Sequence, residues 1–275
     1  MNGFNRIVTW LFDVLLSPFS DWPLATLVVI SCVSGVLMSL VFKFVSNQKA
    51  LARVLDQGRG NALAIKLFKD DIQGMFISLA NVFWLMAQRI WFSLSPVLVM
   101  AIPLLLLLSQ LYLRYEHQPL TAAEPAVVTL EIEPAYWEEQ RETQLQEGEG
   151  FVIETPALHD EIESSISWRV SAVENGFHRL TFENGSQKFH KCIAGTNDIQ
   201  PLATVSDFRV SKWWDAFWFA GEERLNGELE ATSISIIYPK RETPIFGYAI
   251  PWWMTFFLLS IFSALISQPF LKVRF

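Results

Sequence analysis

From Ser95 to Leu113 the chain reads SPVLVMAIPLLLLLSQLYL, a run with no charged residue. At roughly 20 residues it is long enough to cross a bilayer as a helix, and that constrains every neighbouring segment. The stretch before it, IQGMFISLANVFWLMAQRIWF, has a different character. Ile72, Met75, Phe76, Leu79, Val82, Phe83, Met86 and Ile90 recur on one helical face, while Ser78, Asn81, Gln88 and Arg89 gather elsewhere. The pattern predicts an amphipathic helix that gives way at Ser95-Pro96 to a transmembrane helix, with Pro96 as the first residue of the new helix. Pro103 is tolerable inside a span whose neighbours satisfy the freed carbonyl.

Two further runs support membrane insertion. LATLVVISCVSGVLMSLVF, starting at Leu24, has no charge before Lys43, and YAIPWWMTFFLLSIFSALIS, from Tyr248 to Ser267, carries Trp252 and Trp253 near its start. Tryptophan pairs of this kind suit a membrane interface. Residues are 51% hydrophobic and only 18% charged, with a mean hydropathy of +0.28, which fits a membrane protein that keeps a water-soluble part. Met1 to Ser20 has Arg6 as its only base and Asp13 inside its apolar run. It is expected to persist as an interfacial helix and not as a cleaved leader.

The expected order is an interfacial helix at 1–20, spans at 24–45, 95–113 and 248–267, a cytoplasmic helical hairpin at 46–94, an exported β domain at 120–243 and a cytoplasmic tail at 268–275. The connector from Lys43 to Arg89 is rich in bases, the tail carries Lys272 and Arg274, and the segment from Arg114 to Glu242 holds most of the acids. The positive-inside rule therefore places the N-terminus outside and the C-terminus inside, in the bacterial cytoplasmic membrane. A four-span alternative in which Ile72 to Phe92 also crosses would put the basic connector and the acidic segment on one side. Within the hairpin, Ser46 or Asn47 is a candidate cap, Leu51, Val54 and Leu55 follow at helical spacing, and Gly58 and Gly60 are expected to break the helix.

The segment after Arg114 changes period. AVVTLEI, from Ala126 to Ile132, alternates as a strand, QRETQLQEGEG from Gln140 to Gly150 reads as a polar loop before FVIET, and ISIIYP near Ser235 reads as a returning strand. In ISWRVSAVENGFHRLTFENGSQKFHKCI, a two-residue turn at Asn184-Gly185 pairs Leu180 with Phe189 and Phe182 with Gln187. A three-residue loop over Glu174 to Gly176 would pair Trp168 with Phe182 and Val170 with Leu180. The expected result is a small antiparallel sandwich of immunoglobulin type. SKWWDAFWFAGEERL adds a short helix in which Trp213, Trp214, Phe217, Trp218 and Phe219 either pack under the sandwich or rest on the outer leaflet.

Catalytic signatures are missing from the sequence: there is no phosphate-cradling glycine loop, nucleophile elbow or zincin motif. His178 and His190 could lie near each other on adjacent strands, yet no histidine has metal-ligand spacing, and Cys192 is the only cysteine outside the spans. The expectation is a non-enzyme without cofactor, metal or catalytic residue. With a net charge of −7 and no basic stripe, it also has no nucleic-acid partner.

The interfacial N-terminus, the first span ending LVFKFVSNQKAL, the helical hairpin, the span opening SPVLVMAIPLLLLL and the short basic tail together resemble the minimal three-span branch of the YidC and Oxa insertase superfamily. That branch includes archaeal YidC-like proteins and the insertase subunit of the endoplasmic reticulum membrane complex. The inserted β domain departs from the pattern of that branch. The resemblance implies a groove among three helices, open to cytoplasm and lipid, that lowers the barrier for a hydrophilic client segment. Its candidate lining is Ser31, Ser34 and Ser39 on the first span, Ser109 and Gln110 on the second, and Thr255, Ser260 and Ser263 on the third. Met75 and Met86 lie on the returning arm of the hairpin, with Lys43 and Arg89 as cations at the mouth. The expected partners are the lipid bilayer, nascent membrane proteins and an exported protein bound through the β domain. The competing expectation is a membrane-anchored interaction protein whose spans only hold the β domain.

Overall fold

In a computed structural model, helices and antiparallel sheets divide the chain as the hydropathy does. The structure describes residues 2–46, 53–54, 56–58, 60–61, 63, 72–121, 124–185, 187–195, 202–219, 221–225, 230–245 and 247–271. Two units can be distinguished, one formed by Met1–Thr26 with Leu106–Trp252 and the other by Leu27–Leu105 with Trp253–Phe275.

Among the described residues three helices are long and apolar enough to cross a membrane: α2 (Pro23–Val45), α3 (Ile72–Tyr115) and α6 (Trp252–Leu271). The expected break at Ser95-Pro96 does not occur, because α3 runs through Pro96 and Pro103 as one helix of 44 residues. At about 1.5 Å per residue that is about 66 Å, twice the roughly 30 Å hydrocarbon core of a bilayer. Each proline removes one backbone donor and leaves the rest of the ladder in place. The four-span alternative needs a reversal near Phe92, and the helix has none. Gly58 and Gly60 are helical too, and a Cβ at Gly58 would meet nothing within 4 Å. Leu51, Leu55 and Asn47 lie outside the described residues. The last apolar helix starts at Trp252, four residues later than the hydropathy suggests, because Tyr248 and Ala249 pair as β11 (Tyr248–Ala249) with β10 (Pro244–Ile245).

Helices α2 and α6 meet backbone to backbone. A Cβ built at Gly35 would lie 2.2 Å from the Ser260 carbonyl oxygen, so only glycine fits there. About one turn away on the same contact, Ser263 Oγ donates to the Cys32 carbonyl at 2.8 Å. Small residues and a hydroxyl at the crossing are how helices associate where lipid supplies no hydrophobic drive.

In the β unit, β1 (Pro125–Ile132) lies between β5 (Ser165–Ala172) and β9 (Ala231–Ile236), with Val128 opposite both Trp168 and Ile236. The edges are β3 (Phe151–Ile153) and β4 (Leu158–Asp160) on β5, and β8 (Phe208–Val210) on β9. A second sheet orders β2 (Gln144–Gln146), β6 (Gly176–Asn184) and β7 (Gln187–Gly195). Val128, Leu130, Ile166, Trp168 and Ile234 from the first sheet share one core with Leu180, Phe182, Phe189 and Ile193 from the second.

Three details differ from the sequence-based expectation. β5 and β6 do not pair as a hairpin. The chain changes sheet between them, so Trp168 and Phe182 meet edge to face across the core, 5.5 Å between ring centroids. The β6–β7 turn sits one residue further on, with Asn184 opposite Gln187 and Phe182 opposite Phe189. Each strand shifts by one, which preserves parity and keeps the same apolar residues inside. Asn184 is free of the turn centre and donates to Gln140 Oε1 at 2.6 Å, while Gly185 takes the positive φ of 58°. Finally, beyond the short helix α4 (Trp137–Gln140), the supposed polar loop contains β2, whose Leu145 is buried opposite Phe182.

Candidate functional site

The candidate groove residues on α2 and α6 make short-range bonds. Ser31 Oγ donates to the Leu27 carbonyl at 2.6 Å, Ser34 Oγ to Ser31 at 2.9 Å and Ser260 Oγ to Phe257 at 3.0 Å. With Ser263 on Cys32, each of these hydroxyls is occupied by a backbone oxygen. Ser39 is the exception: its Oγ is buried and finds no hydrogen-bond partner among the described residues. Thr255 is also buried. Lys43 is exposed at the end of α2. On α3, Met86 and Arg89 are exposed and, with Ile90, Leu94 and Val97, line a shallow apolar cavity of about 470 Å³. Met75 is helical, and its side chain lies outside the described ones.

Ser109 and Gln110 belong to the other unit. Ser109 Oγ bonds the Leu106 carbonyl at 2.9 Å. Gln110 takes part in a buried network: its Oε1 accepts from Arg114 Nη1 at 2.9 Å and its Nε2 donates to Thr9 Oγ1 at 3.2 Å. Arg114, 1% exposed, also ion-pairs with Asp13. The network clamps α1 (Asn2–Leu16) through Thr9 and Asp13 of its polar stripe, which Arg6 begins at spacing i, i+3, i+7. The apolar stripe of α1 faces outward instead, with Ile7, Leu11, Val14 and Leu15 all more than half exposed. In water this arrangement would be inverted; it matches a helix whose outer face meets lipid.

Just past the end of α3 a second buried cluster forms around Asp207. Tyr112 donates its hydroxyl to Asp207 Oδ2 at 2.6 Å, His117 Nε2 lies 3.1 Å from the same oxygen, and the Phe208 N–H reaches Oδ1 at 3.1 Å. Burial alone would raise the Asp207 carboxyl, but the hydrogen bonds from His117 and Tyr112 outweigh it, and the group sits below its ordinary value. His117 Nδ1 is buried without a partner. The chain is further stitched here by Val205 N–H to the Leu113 carbonyl at 2.8 Å and Trp252 Nε1 to Glu116 Oε2 at 2.7 Å.

Lys191 supplies a third buried charge. It occupies an inward position of β7 between Phe189 and Ile193, is fully buried, donates to the Ser206 carbonyl at 2.7 Å and ion-pairs with Glu222. Glu222 also accepts from the Cys192 N–H at 3.2 Å. Burial, then the Glu222 carboxylate, pushes the Cys192 thiol up, so it is not an activated nucleophile.

His178 and His190 do not approach each other. His178 pairs with Ile193 and His190 with Thr181, three positions apart and on opposite faces of the sheet. His178 packs over Gly150 and contacts the Glu174 carbonyl at 3.0 Å, while His190 Nδ1 contacts Thr181 Oγ1 at 3.1 Å. Among the described residues no three His, Cys, Asp or Glu side chains gather as a metal would require.

The aromatic cluster divides. Phe219 packs on Phe208 with 4.7 Å between centroids, whereas Trp213, Trp214 and Trp218 around α5 (Asp215–Trp218) remain exposed. The side chain of Phe217 is not among those described.

The sequence carried two signals for these clusters. Asp13 breaks the apolar run of α1, and Lys191 breaks the apolar alternation of β7; a charge at an inward position must find a partner. Which partner is a matter of tertiary structure, since Glu222 lies 31 residues beyond Lys191 and Arg114 lies 101 beyond Asp13. Comparison with known protein families, with curated proteins and with solved structures finds no match to this chain.

Proposed function

We propose that this protein is a non-enzymatic, insertase-type assembly factor for membrane proteins, carried in a bacterial cytoplasmic membrane with its N-terminus out and its C-terminus in. The observation that carries the reading is the length and surface of α3. If the charge-free half from Ser95 spans the bilayer, the half from Ile72 to Phe92 reaches beyond the hydrocarbon as part of the same helix. That arm exposes Phe76, Phe83, Trp84, Met86, Ile90 and Trp91. Such a surface is costly in water and serves to receive apolar segments from lipid or from a client chain. Met86 and Arg89 share one wall of its shallow cavity, so a client meets an adaptable thioether beside a positive charge. The bases of the connector support a cytoplasmic arm, and the acids of the β unit support its export.

A second reading, an anchored interaction protein, is favoured by the exposed Trp213, Trp214 and Trp218 on the β unit. Photo-crosslinking separates the two. With a photoreactive residue at Met86 or Ser39 during synthesis of other membrane proteins, the assembly reading expects short-lived adducts to ribosome-bound nascent chains. Adducts only to mature proteins, and only from positions on the β unit such as Trp214, would replace it with the second.

A further inference from the structure

The exposed side chains of α3 repeat with a period that the assembly reading leaves unused. Phe76, Phe83, Ile90 and Val97 follow one another at intervals of seven residues, and Leu79 and Met86 stand three residues after the first two. All six are exposed, and the residue that follows each of the four is large, apolar and exposed as well. With Phe76 at position a of a heptad, the six fill a and d. The buried side chains of the same stretch lie on the other side of the helix. Among the described side chains from Phe76 to Leu98 these are Leu85 and Pro96, at positions c and g, about 160° and 120° around the axis from a. The arm therefore turns an a/d seam outward.

A seven-residue period says more than exposure alone. A helix that meets lipid needs an apolar side of no fixed period, whereas a helix wound about another needs its seam every 3.5 residues on average. The shallow cavity of this arm has the matching form: Met86, Arg89 and Ile90, at d, g and a, are three corners of the kind of hole into which a knob from a facing helix fits. Orientation then selects the facing helix. Copies of one chain enter a membrane with one topology, so two α3 helices side by side run parallel and at equal depth. A parallel pair in register stacks Phe83 on Phe83 and Ile90 on Ile90. Arg89, at g, then meets Leu94 of the second copy, at e, and not its own counterpart, so like charges do not face each other across the seam.

We propose that the exposed stripe of α3 is a dimer seam and that its occupant is the same stripe of a second copy, wound with it as a parallel coiled coil. The seam needs only that α3 crosses a membrane. One consequence rests on the assembly reading: at rest, the second copy covers the surface which that reading offers to clients.

The test uses full-length chains with Cys32→Ala and Cys192→Ala, produced together under two different tags. Each receives one new cysteine and is oxidised in isolated membranes. Phe76→Cys, Phe83→Cys and Ile90→Cys are expected to give a disulfide-linked pair that contains both tags, because a-position Cα atoms of a parallel pair come within disulfide reach, about 6 Å. Asn81→Cys and Gln88→Cys, at position f on the far side, are expected to give about a tenth as much or less. Ile90→Asp puts a charge into the seam and is expected to lower the Phe76→Cys product about tenfold while the melting temperature of the chain is unchanged. Phe83→Ala takes its place if Ile90→Asp melts early. No linked pair at any a position, equal yields at a and f, or adducts at Phe83→Cys that hold another protein in place of the second tag overturn the inference. Linked pairs without nascent-chain adducts from Met86 would leave the seam standing and remove the assembly reading; adducts without linked pairs would do the reverse.

Discussion

The two units solve the burial of polar groups in opposite ways. In α2 and α6, each bonded candidate hydroxyl makes one short bond to a backbone oxygen, and no buried charge occurs among the described residues. In the unit that holds the sheets, Arg114, Lys191 and Asp207 are all buried and each engages several partners drawn from distant parts of the chain. A lone hydroxyl in a helix costs little and specifies little, because any turn offers it a carbonyl. A buried charge has few acceptable surroundings, so removing one partner is severe, and the requirement fixes which segments must meet. The β unit and the end of α3 are therefore specified by charge, while the α2–α6 crossing is specified by the missing side chain of Gly35.

The contrast is broken most forcefully at Lys191. Glu222→Ala leaves an ammonium of zero exposure with only the Ser206 carbonyl, and a loss of about 3–5 kcal/mol is expected. Chemical denaturation followed by tyrosine and tryptophan emission of the full chain reads it. The double change Lys191→Met with Glu222→Leu removes both charges and is expected to recover most of that loss. A double variant as unstable as Glu222→Ala would show that the pair is not the unit of stability.

A smaller, pH-dependent effect is expected at Asp207. Its folded carboxyl titrates below the unfolded value, so the carboxylate contributes stability that is fully present above about pH 4 and is lost as pH falls through the folded value. Asp207→Asn should cost about 1.5–3 kcal/mol at pH 7, since Tyr112, His117 and the Phe208 N–H lose a charged acceptor. Thermal melts from pH 7 to pH 3 should show the wild-type and variant curves converging in acid. Parallel curves would assign the loss to shape and not to charge.

How far the sequence reveals this design follows the same division. The three apolar runs, the strands β1 and β9, and the inward set Leu180, Phe182, Phe189 can be read directly, because period and hydropathy are local properties. The β5–β6 hairpin was a wrong expectation for an instructive reason. Trp168 and Phe182 are neighbours either as a ladder pair or as facing residues of two sheets, and apolar alternation is the same in both. The break at Pro96 failed because a proline removes one hydrogen bond but does not force a helix to end when its other bonds and its apolar surroundings persist. Of the candidate site, the helical arm that carries Met86 and Arg89 was legible from its period. The buried charge pairs were not, since Asp13 meets Arg114, and Lys191 meets Glu222, only when the chain is folded.

The finest distinction lies between two serines of the helical pair. Ser263 Oγ bonds the Cys32 carbonyl across the α2–α6 crossing, so Ser263→Ala should cost about 0.6 kcal/mol, the average for such bonds in membrane helices. Ser39 Oγ is buried with no partner, and Ser39→Ala should be neutral or raise the melting temperature by a degree or two, since it deletes an unsatisfied hydroxyl. Melting in matched detergent reads both signs. The same Ser39→Ala protein then tests the proposed client contact, because its hydroxyl is the candidate group on α2 that makes no bond of its own among the described residues. If clients use it, the better-folded variant inserts them less well and loses the nascent-chain adducts from Met86. If the variant is stabler and inserts every tested client as before, Ser39 is a packing residue, and the client contact rests on the exposed arm of α3 alone.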